Sequence, residues 1–170
     1  AVVAGSLSLP LRAEKGAVLD SPPVPRGEVA PQRQGARLEA GLPLAPGEEK
    51  RVADAAAKLC GVQATLFWSL VLRESEGKHW GKDGKVLRSG SNAWGLAQIK
   101  VGTARDVDPE LDVMDLWGNA LAGACHLRRL LDKYGYTQVA LVAYHAGERR
   151  VDRRQVGEKS REYARDILGN

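Results

Sequence analysis

Apolar residues recur at helical spacing along several stretches of this chain, and breakers fill the gaps between them. From Glu48 to Cys60, Val52, Ala55, Ala56 and Leu59 fall on one face, and Gly61 follows where a left-handed cap would end the helix. The next run spans Thr65 to Glu76, with Thr65 as its candidate cap. Within it Phe67, Leu70, Val71 and Glu74 follow the i, i+3, i+4, i+7 rule and share a face. A carboxylate on an apolar face is costly unless paired, and burial raises its pKa. Two readings of Glu74 stand level: a paired or rim-facing acid, and a proton donor. Residues 77–94 read as a loop. Lys82-Asp83-Gly84-Lys85 carries an Asp-Gly turn, Lys85–Arg88 a short strand, and Gly90-Ser91-Asn92 a second cluster of breakers.

Beyond the loop, Trp94-Gly95-Leu96-Ala97-Gln98-Ile99 places a polar Gln98 inside an apolar run, where its amide needs partners if buried. Thr103 is the expected cap of a short helix ending at Val107. The longest predicted helix runs from Leu116 to Tyr134, striped by Ala120, Leu121, Ala124, Leu127 and Leu131, and Gly135 closes it. Its small residues Ala120, Gly123 and Ala124 let a neighbouring helix come close. Helices over about Thr137–His145 and Lys159–Leu168 complete a mainly α domain with at most a small β element.

Composition changes the picture at the N-terminus. Seven of the 8 prolines fall within residues 1–46, a density that blocks helix and sheet pairing. That segment reads as an extended Pro-rich arm or linker, and residues 47–170 as the folded domain. Ala1–Pro10 is apolar but short, which fits either the tail of a processed export signal or an arm that docks on a partner. A length of 170 residues suits one ordinary domain, and 44% hydrophobic residues exclude a wholly disordered chain. No stretch approaches the ~20 apolar residues of a membrane span.

The net charge of +4 fits an anionic partner such as a bacterial wall. The densest basic stretch, Arg149 to Arg165, is interrupted by Asp152, Glu158 and Glu162 and reads as a solvated helical face. No nucleic-acid module is present. Cys60 and Cys125 sit in apolar helical contexts, where buried thiols and a disulfide both fit, and no spacing suits zinc.

Five pieces then occur in a fixed order: Glu74-Ser75 at a helix end; Gly95-Leu96-Ala97-Gln98-Ile99; Asn119 with Gly123, Leu127 and Tyr134; Ala143-Tyr144-His145-Ala146-Gly147; and Arg161-Glu162-Tyr163 through Leu168. Together they resemble the soluble lytic transglycosylases, whose catalytic domain is similar to goose-type lysozyme. The resemblance covers roughly residues 48–168. Ala97 stands in place of the family's Met and His145 in place of its Asn, so one sugar or backbone contact must differ. The segment Gly77–Ser89 is longer than in compact members and would reshape one wall of the cleft.

The resemblance implies a lysozyme-like helical domain that cleaves the bond between N-acetylmuramic acid and N-acetylglucosamine in peptidoglycan. Glycosidases usually employ two carboxylates. Here Glu74 alone falls in a family motif, while Asp83, Asp106 and Asp108 sit in or beside predicted loops. One acid suits an intramolecular reaction that closes a 1,6-anhydro ring without water. Its apolar helix face would keep Glu74 protonated, as the pocket of lysozyme does for its acid, the type case of this effect. Ser75 would bond either the reacting region or the backbone. Gln98 lines the cleft by resemblance. Tyr144 either orients Glu74 or keeps its hydroxyl satisfied elsewhere, His145 supports the site, and Trp94 and Trp80 are candidate sugar platforms.

No metal or organic cofactor is implied. The expected partners are peptidoglycan glycan strands, with residues 1–46 as a candidate tether to an envelope-spanning or virion assembly. The expected location is the bacterial periplasm or envelope, or a phage particle. The rival functions are a hydrolytic muramidase on the same fold, a non-catalytic wall-binding or structural module of a phage or secretion assembly, and a chitin-cleaving enzyme.

Overall fold

The computed structural model describes residues 46–169. Apart from Pro46, the arm expected over 1–46 lies outside the described residues. Those residues form seven helices: α1 (Glu49–Leu59), α2 (Ala64–Ser75), α3 (Val101–Val107), α4 (Leu116–Tyr134), α5 (Thr137–Ala146), α6 (Glu148–Asp152) and α7 (Glu158–Leu168).

The longest helix, α4, is the hub. It packs against α1, α3 and α5, while α2 bridges α1 and α7, and α7 closes onto α5. Its bounds agree with the periodicity at both ends. Asp115 caps the start by accepting from Gly118 N–H at 2.8 Å, and Gly135 takes the left-handed conformation (φ 71°) that ends it. Val52, Phe67, Leu70, Leu127, Leu130 and Leu141 are fully buried around it.

Helix α1 ends as expected at Gly61 (φ 66°). Val62 N–H reaches back to Ala57 O and Gly61 N–H to Lys58 O, the paired bonds of a Schellman turn. That turn feeds the chain straight into α2, which therefore starts at Ala64, one residue before the expected Thr65 cap, and has no side-chain cap. The Thr103 cap is likewise displaced: α3 begins at Val101 after an extended Lys100. The short strand expected over Lys85–Arg88 reduces to single bridges, Trp80 with Val86 and Arg88 with Trp94. Lys85 and Leu87 bond Gly81 and His79, whereas Leu87 and Ser89 bond Gly95 and Ala93, so the segment changes partner at Leu87 and neither pairing extends beyond a single bridge.

Cys60 and Cys125 are joined in a disulfide, which overturns the free-thiol reading. It ties the end of α1 to the middle of α4 across 65 residues, and by chain entropy a loop of that length stabilises the fold by about 4 kcal/mol. Among the described residues no helix is long and apolar enough to cross a membrane.

Candidate active site

Glu74 stands in the last turn of α2, on the face that Phe67, Leu70 and Val71 bury. The helix stops two residues later because Glu76 (φ 55°) and Gly77 (φ 77°) both turn left-handed. Glu74 is thus held at the mouth of the core, half-buried. Its carboxyl pKa is raised: burial pushes it up, and this outweighs the opposing effects of a hydrogen bond from Tyr163 and the Arg73 charge.

The partner of that carboxyl comes from the closing helix. Tyr163, buried in α7, donates its hydroxyl to Glu74 Oε1 at 2.6 Å. Burial and the neighbouring Glu74 charge raise the Tyr163 hydroxyl far above its ordinary range, so it stays a donor. The Tyr163 ring stacks on His145 with centroids 4.5 Å apart, and the Arg73 guanidinium lies 5.7 Å from the same ring while pairing with Asp166. Tyr163 was part of the sequence resemblance but carried no role there. The Tyr144 hydroxyl, the expected orienter, instead donates to Ala97 O at 2.9 Å. Its alternative reading, a tyrosine satisfied elsewhere, is the one observed.

The loop from Trp94 to Ile99 forms the facing wall, and nearly all its backbone groups have a partner. Trp94 and Ile99 exchange N–H···O bonds of 3.0 and 3.1 Å. Leu96 N–H donates to His79 Nδ1 at 3.1 Å, and Leu96 O accepts from Ser75 Oγ at 2.7 Å. Ala97 N–H donates to Asn119 Oδ1 at 2.8 Å, while Asn119 Nδ2 donates to Trp94 O and Val113 O, each at 2.8 Å. Gly95 O accepts from Gln98 Nε2 at 2.9 Å. Ser75 therefore serves the backbone.

Close approach is built into the same wall. A Cβ on Gly95 (φ 65°) would lie 2.5 Å from the His79 ring and 2.6 Å from Asn119 Nδ2. A Cβ on Gly123 of α4 would collide with the Ala97 methyl. His79 is fully buried, with Nε2 3.0 Å from Met114 O, which makes Nε2 the donor and Nδ1 the acceptor of a neutral ring. His79 escaped the sequence reading because its two backbone partners lie 17 and 35 residues away.

Between Glu74 and this wall runs a cleft of about 660 Å³. Gln98, held left-handed at φ 46°, lines it together with Tyr144 and His145. So do residues that the sequence did not single out for the site: Ser89, Ser91, Arg129, Glu148 and Arg150. Asp106, expected beside a loop, lies in α3 and also faces the cleft.

Trp94 and Ser75 do not line the cleft; Trp94 instead packs beneath the Arg88 guanidinium, 4.8 Å from its ring. Trp80 is likewise outside, edge-on to His79. Asp83 is exposed in its turn, accepting from Lys85 N–H at 3.1 Å. Glu148 pairs with Arg129 and Lys133, and the Arg129 hydrogen bond above all holds its carboxyl below the ordinary range. Among the described residues no cluster of three metal-ligating side chains occurs. The cleft can therefore place one half-buried, hydrogen-bonded acid against a polar trough of about 660 Å³.

The model of the transglycosylase SLT domain matches residues 51–167. A transglycosylase of Enterobacteria phage PRD1 is 34% identical over 82 residues, which are 48% of this chain and 29% of that protein. Two solved structures share the fold. An inactive mutant of the lytic transglycosylase Slt of Pseudomonas aeruginosa superposes with a TM-score of 0.60 at 20% identity, over 72% of this chain and 23% of that one. The 70 kDa soluble lytic transglycosylase of Escherichia coli gives 0.58 at 19%, over 69% and 22%. The chain thus spans less than a third of the length of each of these relatives. With its family model matched from α1 to α7 and its helices superposing on those two enzymes, the chain belongs to the transglycosylase SLT domain family.

Proposed function

We propose that this domain cleaves the β-1,4 bond between N-acetylmuramic acid and N-acetylglucosamine in peptidoglycan as a lytic transglycosylase, with Glu74 as acid and then base. One observation carries the reading: a carboxyl whose pKa is raised by burial, held by the Tyr163 hydroxyl at 2.6 Å, at the edge of a polar cleft. In the first half of the reaction the Glu74 proton passes to the glycosidic oxygen as the bond to the muramic C1 breaks. In the second half the 6-hydroxyl of the same muramic sugar attacks that C1 and gives its proton to Glu74. The acid is regenerated, and the products are a free 4-hydroxyl and a 1,6-anhydro end, with no water consumed.

Tyr163 holds Glu74 in place for both transfers. Gln98 and His145 contact the glycan, while Ser75 and Tyr144 act through the wall they brace. The disulfide and the bacterial and phage relatives support a site of action in an oxidising compartment, the bacterial envelope, or a phage particle that attacks it.

Glu74→Gln keeps the shape and removes the proton. General acid catalysis is worth about 10²–10⁴-fold, so release of soluble fragments from sacculi is expected to fall by at least that. Near-normal release by a folded Glu74→Gln protein would end the reading. Asp106 favours one rival, hydrolysis, because it is a carboxylate in the cleft that, unlike Glu148, makes no ion pair among the described residues. Mass spectrometry of the ends decides between them. Anhydro ends and an active Asp106→Asn variant are expected, whereas reducing muramic ends and an inactive Asp106→Asn variant would mark a hydrolase.

A further inference from the structure

The segment from Glu148 to Gln155 reads in sequence as alternating charge, but the fold sorts those charges by side. Both of its acids face α4. Glu148 pairs with Arg129 and Lys133, and Asp152 accepts from Lys133 Nζ at 2.8 Å and from the Tyr134 hydroxyl at 2.8 Å. Arg149, Arg150, Arg153 and Arg154 are left exposed and make no ion pair among the described residues. Arg150 lines the cleft that holds Glu74, and Arg149, Arg153 and Arg154 stand exposed within four residues of it along the chain.

A second observation is independent of charge. Gln155 N–H bonds Arg150 O at 2.8 Å and Arg154 stands left-handed at φ 56°, so α6 ends in a Schellman turn with arginine at the position that favours glycine. An unfavourable backbone position filled by a long cation points to use of the side chain outside the fold.

Resting on the function proposed above, we propose that Arg149, Arg153 and Arg154 continue the cleft as a subsite for the carboxylates of the short peptides borne by the glycan strand. The planar guanidinium matches a carboxylate with two parallel hydrogen bonds. A glycan strand seated beside Glu74 and leaving past Arg150 would bring its peptides to the segment that carries these side chains. A lipid surface fits less well, because none of the large exposed apolar residues (Leu59, Leu72, Val101, Met114, Tyr136) lies in this segment to insert. Nucleic acid fits less well too, because residues 148–157 offer no aromatic platform.

The test compares the full chain with the Arg149→Gln/Arg153→Gln/Arg154→Gln variant on two sets of soluble glycan strands. One set carries native peptides; in the other the peptide carboxylates are converted to amides. The wild type is expected to prefer native strands through KM, on the order of tenfold, with the preference shrinking as salt rises. The variant should lose that preference through KM alone and match the wild type on amidated strands. Arg154→Gly should weaken the preference while leaving Tm unchanged or raised.

A wild type active on both sets without preference overturns the subsite, as does an equal loss by the variant on both. Arginine-dependent binding to anionic phospholipid vesicles or single-stranded nucleic acid, with no effect on native strands, would reassign the patch. A Tm drop in Arg154→Gly would also overturn it by showing that Arg154 serves the fold. A folded wild type inactive on both sets would instead refute the underlying function.

Discussion

The two ends of the cleft are built on opposite plans. At the Trp94–Ile99 wall, neutral side chains from three places in the chain (His79, Asn119 and Tyr144) hold backbone groups in a dry interior. At the α6 end, Glu148 and Asp152 hold the segment to α4 through exposed ion pairs, and its arginines stay in solvent. In the interior an unpaired donor or acceptor loses its water and gains nothing, so each partner counts in full. At the surface water replaces any lost partner, so the ion pairs orient α6 and contribute little to stability. The wall fixes position, and the α6 end leaves charge available.

Replacing the clamp is the most direct way to break this contrast. Asn119→Leu removes the partners of Ala97 N–H and Val113 O at once, together with one of the two bonds to Trp94 O. It is expected to cost about 3–5 kcal/mol and to abolish strand cleavage; urea unfolding measures the first and fragment release the second. A loss below about 1 kcal/mol would mean that the wall tolerates unpaired groups. Gly123→Ala pushes a methyl into Ala97 and should cost about 1–3 kcal/mol as overpacking. Because the displaced loop carries Gln98, the variant's activity should fall further than its stability explains. Unchanged kcat/KM in a destabilised protein would separate the wall from the chemistry.

Acid should weaken the wall as well. Burial lowers the pKa of His79, and His126 beside Tyr144 is lowered from 6.5 to about 4, chiefly by burial. The unfolded chain takes up these protons near pH 6.5 while the folded one resists. The contribution is therefore fully present above 6.5 and is lost as pH falls toward about 4. A protonated His79 Nδ1 also cannot accept from Leu96 N–H. Tm recorded against pH in His79→Gln and His126→Gln variants should show a shallower decline than the wild type over that window. Identical slopes would exclude both rings as the cause.

The smallest effect is expected at the other end. Lys133→Met removes the cation shared by Glu148 and Asp152 and should leave Tm within about 2 °C of the wild type. A large drop in Tm would make the ion network structural and erase the contrast between the two ends.

Helices α1, α2, α4, α5 and α7 were legible in the chain to within a residue or two, because a helical face is a local pattern that repeats every turn. The face that carries Glu74 was legible for the same reason. α6 was missed because its five residues, ERRVD, bury nothing and so carry no apolar period. The loop 77–99 showed its breakers but not its bridges, which depend on partners rather than composition.

What only the tertiary structure decided are the pairings between distant residues. Tyr163 reaches Glu74 across 89 residues, and Cys60 meets Cys125 across 65. The acids of the α6 segment face α4 while its arginines face water, although in sequence the two signs alternate. Periodicity says which residues share a face, but not which other face will meet it. A hydrogen bond or ion pair is set by that meeting, so the acid was readable along the chain and its partners were not.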